Sequence, residues 1–127
     1  MRLILLLLLL AASVAAQPAS VASLMTKDIP EFQGKEVIML TVTIAPGQDS
    51  AAHRHNAHVF VYVLEGSVVM QVAGGEAKQL DPGGTFYEKP SDIHVVSKNA
   101  SATQPAKILV MMLKDKGKPV SEPAASK

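Results

Sequence analysis

Between residues 37 and 44, apolar side chains at Ile38, Leu40, Val42 and Ile44 alternate with Thr41 and Thr43. This is the period of two that a strand with one buried face requires. Ala45-Pro46-Gly47 then stops the run with turn chemistry. Residues 58–64 are rich in Val, Phe and Tyr, and are followed by Glu65-Gly66 and a second β-prone run over 67–72. Two such runs joined by a glycine-containing pair predict a hairpin, and Gly74-Gly75 marks the turn after it. Shorter runs over 77–80, 85–88, 94–97 and 107–113 are separated by Asp81-Pro82-Gly83-Gly84, Pro90-Ser91-Asp92 and Asn99-Ala100-Ser101. Turn signals therefore recur about every 8–12 residues, with no long helical period and no internal repeat. The pattern predicts an all-β domain, a single jelly-roll barrel, over residues 36–113.

The flanks differ. Arg2 precedes an unbroken run of leucine and isoleucine, and residues 11–16 are small and weakly apolar, ending Val14-Ala15-Ala16. This reads as a secretory signal peptide over residues 1–16, with the mature chain starting near Gln17. The apolar run is about 10 residues long against the roughly 20 that a spanning helix needs, so no stable membrane anchor is expected after cleavage. Residues 17–35 lack a sustained period and read as a lead-in that lies across the domain. Residues 114–127, with four lysines, two prolines and no apolar cluster, read as a flexible tail.

Composition narrows the function classes. Without Arg2, 11 basic side chains face 11 acidic ones, which argues against nucleic acid or an anionic membrane surface as partner. The chain has no cysteine, so an exported domain of this size depends on its core, a metal or a second subunit for stability. Asn99-Ala100-Ser101 has the form of a glycosylation acceptor, relevant only in a eukaryotic secretory route.

The candidate chemistry lies in the histidines. His53 and His55 flank Arg54 in an extended segment, so both imidazoles point to one side. Neutral imidazole binds mid-series divalent metals, and two rings from one strand edge need only a neighbouring strand to complete a site. His94, just after the Pro90-Ser91-Asp92 turn, is placed to supply the third ring. Phe60, Tyr62 and Phe86 are expected in the core or barrel lining, and Met70, Met111 and Met112 as core filling, with a pocket or a dimer surface as the alternative.

Together these residues resemble the cupin superfamily. Pro46-Gly47, His53-Arg54-His55 and Tyr62-Val63-Leu64-Glu65-Gly66 are similar to the first cupin motif, and Gly84, Pro90, His94 and Asn99 to the second. The resemblance spans residues 37–113. It implies a jelly-roll barrel with a metal inside, and commonly a homodimer. It also exposes a departure: the first motif places a ligand glutamate seven residues before its closing glycine, where this chain has Val59. Two replacements are open. His58 adjoins the slot but should face away by strand alternation, whereas Glu88, in Phe86-Tyr87-Glu88-Lys89-Pro90, leads into the turn that delivers His94. The second motif is also altered, with Asp92 in place of its glycine and a spacing from Pro90 to His94 one residue shorter.

The expected function is an exported, periplasmic or secreted protein that binds one divalent transition metal (Fe, Mn, Ni or Zn) through His53, His55 and His94. Glu88 is the candidate fourth ligand or catalytic base. Coordination positions left open suit a metalloenzyme of dioxygenase, lyase or isomerase type acting on a small organic molecule. The alternative is a non-catalytic module that binds a metal or a small ligand.

Overall fold

The computed structural model describes residues 19–124, so the leader expected over residues 1–16 lies outside the described residues. Ten strands are arranged in two five-stranded sheets, every pairing antiparallel, and no helix occurs among the described residues. The first sheet contains β1 (Ser20–Asp28), β2 (Lys35–Ile44), β9 (Ala106–Asp115), β4 (His58–Glu65) and β7 (Thr85–Glu88), in that spatial order. The second contains β10 (Glu122–Pro123), β3 (His53–Arg54), β8 (His94–Asn99), β5 (Val68–Val72) and β6 (Lys78–Leu80). The all-β jelly-roll expectation is met.

The period of two sorts the side chains. Along β4, Val59, Val61 and Val63 are buried while His58, Phe60 and Tyr62 face outward. In β9 the inward set is Ala106, Ile108, Val110 and Met112, and in β2 it includes Ile38, Leu40 and Ile44. With Val68 and Met70 from β5 these residues form one continuous core between the sheets. Phe60 and Tyr62 are thus not lining. They lie 44% and 45% exposed on the outer face, whereas Phe86 packs against the core as expected.

Three boundaries move. Residues 58–64 and 67–72 do not form a hairpin: β4 pairs with β7 and β9, while β5 pairs with β6 and β8. Glu65-Gly66 instead carries the chain from one sheet to the other. Gly66 has φ +69°, and a Cβ there would stand 2.6 Å from the Pro105 carbonyl oxygen and 2.9 Å from the Ala106 Cα. Glycine is required both for the left-handed turn and for the close approach of the 105–106 backbone. The lead-in contains β1, which pairs with β2 over nearly its whole length, though all nine of its residues are exposed. The presumed tail begins inside β9, which runs on to Asp115, and later contributes β10.

Two polar anchors close the barrel. Asn99 is buried, and its amide nitrogen donates to the carbonyls of Ile44, Ala45 and Gln104 while its side-chain oxygen accepts from Ser101 N–H. That nitrogen is committed to the fold and closed to a glycan in the folded chain. At the other end Lys114, 3% exposed, donates to Glu36 at 2.7 Å and to the Asp115 carbonyl at 2.8 Å. The hydrogen bond from Lys114 holds the Glu36 carboxyl below its ordinary value of 4.5.

Two outcomes test this account. Gly66→Ala should destabilise the fold by about 3 kcal/mol in denaturant unfolding, combining left-handed strain with an overpacked contact. For Glu36, a lowered folded pKa means stabilisation that is present above the ordinary carboxyl value and lost as pH falls through the folded one. Glu36→Gln should therefore lower Tm at pH 7, and its difference from the parent should shrink as pH drops below 4.5.

Candidate metal centre

β3 has only two residues, and it holds His53 directly across from His94 of β8 in antiparallel register. His55 follows two positions after His53, before Asn56 turns the chain at φ +50° towards β4. His94 is delivered by a tight turn in which Asp92 occupies the place of the motif glycine. Its carboxylate accepts from Lys89 N–H at 3.0 Å, and its own N–H donates to the Lys89 carbonyl at 3.0 Å. The altered second motif thus still makes a closed turn.

The three rings converge. Ring centroids are 4.8 Å apart for His53 and His55, 5.0 Å for His53 and His94, and 6.4 Å for His55 and His94. One nitrogen of each lies within 4.8 Å of the others. Nitrogens sharing one ion at ~2.1 Å each can be at most ~4.2 Å apart, so the cluster is close to a binding arrangement before any ion is added.

The protonation pattern suits the same role. His53 Nδ1 lies 2.9 Å from the Ala51 carbonyl, and His55 Nδ1 lies 2.6 Å from the Val120 carbonyl. A carbonyl only accepts, so each Nδ1 carries the proton and each Nε2 keeps its lone pair for a metal. Burial lowers the His53 pKa below the ordinary imidazole value, favouring the neutral ring that can ligate. Both nitrogens of His94 are buried without a hydrogen-bond partner among the described residues. A fold rarely leaves such atoms unsatisfied unless an ion or ligand meets them.

Glu88 lies beside the cluster. It is 2% exposed, faces inward from β7, and sits directly across from Val59 in the β4–β7 register. The carboxylate missing from the Val59 position is thus present on the facing residue of the next strand. Its Oε1 is 3.2 Å from His94 Nδ1, without hydrogen-bond alignment, and its Oε2 is 3.9 Å from His55 Nε2. Burial alone would raise its pKa, but the surrounding histidines, His94 foremost, outweigh burial and hold it below the ordinary carboxyl value. His58 takes no part: it is exposed on the outer face, with Nδ1 2.7 Å from the Tyr87 hydroxyl.

The three histidines and Glu88 lie in the wall of a cavity of about 410 Å³ inside the barrel. What the sequence did not disclose is the strap across its mouth. Residues 120–123 border the cavity, β10 pairs with β3, Ala124 N–H donates to the Ala52 carbonyl, and Asn56 donates to the Glu122 carboxylate at 3.0 Å. Its contact with His55 is made by a backbone carbonyl, which leaves no side-chain signal to read.

Replacing Asn56 and Glu122 together with alanine should loosen this strap in the full chain. Long-range ¹H–¹⁵N spectra of the histidine rings should then show His55 averaging between tautomers while His53 keeps its Nδ1 proton. The loss of Tm should stay under about 8 °C, as for a partly exposed hydrogen bond. An unchanged His55 ring would separate the strap from the site.

Several solved structures share this architecture. A double-stranded β-helix protein from Klebsiella pneumoniae superposes with a TM-score of 0.64 at 17% identity, covering 88% of this chain and 89% of that one. Oxalate oxidase in complex with the substrate analogue glycolate gives 0.62 at 20% identity, with 86% and 57% covered. The DMSP lyase DddQ from Ruegeria pomeroyi gives 0.60 at 17% identity, with 68% of this chain matching 42% of that one. At these identities the likeness is one of fold, and this chain spans less than half of the lyase. No curated protein is matched. The family described as the cupin domain matches residues 40–112, more than half of the 127, a span that includes His53, His55, Glu88 and His94, and the chain belongs to that family.

Proposed function

We propose that this cupin holds one divalent transition metal through His53, His55 and His94, with Glu88 as fourth ligand or adjacent base, and acts as a metalloenzyme on a small organic molecule. The observation that carries the reading is the convergence of three imidazoles, two with fixed tautomers and one with orphaned nitrogens, beside a buried carboxylate in the wall of a cavity that opens to solvent. Such a donor set suits Fe, Mn, Ni or Zn, and histidine alone does not choose among them.

When bound, the metal supplies Lewis acidity or, if redox-active, access to dioxygen chemistry of the oxygenase kind. The chain contributes the rest. The Ala51 and Val120 carbonyls keep His53 and His55 oriented, Glu88 presents an anionic oxygen able to hold a proton beside the rings, and hydrocarbon side chains form the rest of the wall against which a substrate body would pack. A ligand-sized cavity next to the cluster favours chemistry or ligand capture over a purely structural ion.

Export to the periplasm or outside the cell belongs to the same proposal and rests on the leader over residues 1–16. So does a homodimer, for which the exposed aromatic side chains of Phe60, Tyr62 and Tyr87 offer a surface to a second copy.

Elemental analysis of protein purified without a histidine tag should find about one transition metal per chain. His53→Ala and His94→Ala should each reduce this to a trace. Glu88→Gln should keep the fold but weaken metal affinity or turnover roughly 10–100-fold. Stoichiometric metal in either histidine variant would refute the centre, and unchanged metal content and turnover in Glu88→Gln would remove Glu88 from it. Metal and ligand binding without turnover across small organic acids would leave a binding module.

A further inference from the structure

Away from the histidines the cavity runs between the sheets against hydrocarbon: Leu40, Val42, Val61, Met70, Ile108 and Val110. Its polar border consists of Ser50, Ser97, Ser121, the three histidines, Glu88 and Glu122. Among the described residues no lysine or arginine reaches it. Two carboxylates thus border the cavity with no lysine or arginine beside them among the described residues, and the rim carboxylate of Glu122 is engaged by Asn56.

This sets the charge and shape of what fits. With a divalent ion on three neutral rings and one carboxylate at Glu88, the centre carries a single net positive charge. One anionic or chelating head on the ligand neutralises it. A second anionic group, further along the same ligand, would lie against valine, isoleucine and methionine with nothing to pair it, an arrangement proteins avoid. A volume of about 410 Å³ holds a dozen or so heavy atoms at liquid-like packing.

We infer that the cavity takes a small molecule with one metal-binding head and an apolar body, neutral or singly negative, and discriminates against extended dianions. The inference rests on the metal reading for the head, while the body is recognised by the walls alone. Specificity then lies in the side chains of β2, β4 and β9 that face inward, Val42 and Val61 among them, rather than in a charged clamp.

The test uses the full chain loaded with zinc and a series of n-alkyl hydroxamates, from acetohydroxamate to octanohydroxamate, titrated by calorimetry. Affinity should rise about fourfold per methylene until the cavity is filled. Adding a carboxylate to the far end of hexanohydroxamate should cost roughly a hundredfold. Val42→Phe should weaken the longer hydroxamates at least tenfold and leave acetohydroxamate unaffected. In parallel, metal-free protein is titrated with n-alkyl alcohols, following the methyl resonances of Val61 and Ile108, and should give the same chain-length trend. If zinc does not load but the alcohols show the trend, the metal reading fails and the apolar-body inference is upheld. Affinity independent of chain length in both series, or no penalty for the far carboxylate, would overturn the inference.

Discussion

The two-residue strand β3 has too few hydrogen bonds to persist by itself, and it exists because β8 and β10 hold it from both sides. That pairing puts His53 across from His94, brings His55 under the Val120 carbonyl, and so fixes two rings of an otherwise loop-like segment beside the third ring on β8. The rest of the barrel serves this placement. The core between the sheets sets their separation, Gly66 lets the chain pass from one sheet to the other, and Asn99 ties the end of β2 to the loop after β8.

The appearance of a glutamate opposite Val59, three strands further along the chain, has a simple physical basis. In an antiparallel sheet, directly opposed residues project to the same face with Cβ atoms about 4.5–5.5 Å apart. A carboxylate can therefore move from β4 to the facing position of β7 and still reach the same volume. Val59 then adds to the wall what the glutamate would have taken from it, which makes the cavity more apolar on that side. Charge is kept and its position shifts by one strand spacing.

Most of the barrel was legible because a strand with one buried face writes its period into the sequence, as 37–44 and 58–64 do. The histidine cluster was legible for the same reason: His53 and His55 share a face by alternation, and the 90–92 turn announces a new strand at His94. Glu88 could be nominated from its place before that turn, and only the register with β4 places it opposite Val59. The failures have physical causes too. The predicted hairpin around Glu65-Gly66 was a crossing between sheets, and local sequence records that a turn occurs but not which strand lies alongside. β1 is exposed on both faces and β10 is two residues long, so neither needs a hydrophobic pattern to pair. Backbone carbonyls, such as that of Val120, are the same at every residue and carry no signature.

The strap joins the first half of the site to a segment far along the chain, since Arg54 and Glu122 are partners on neighbouring strands. His55 therefore gains the acceptor that fixes its proton only when residues 120–124 are in place beside β3. In the finished protein the same long closure makes the strap the local element that opens at least cost, and hydrogen exchange at Ala124 should report that opening while the amides of β4 and β9 stay protected.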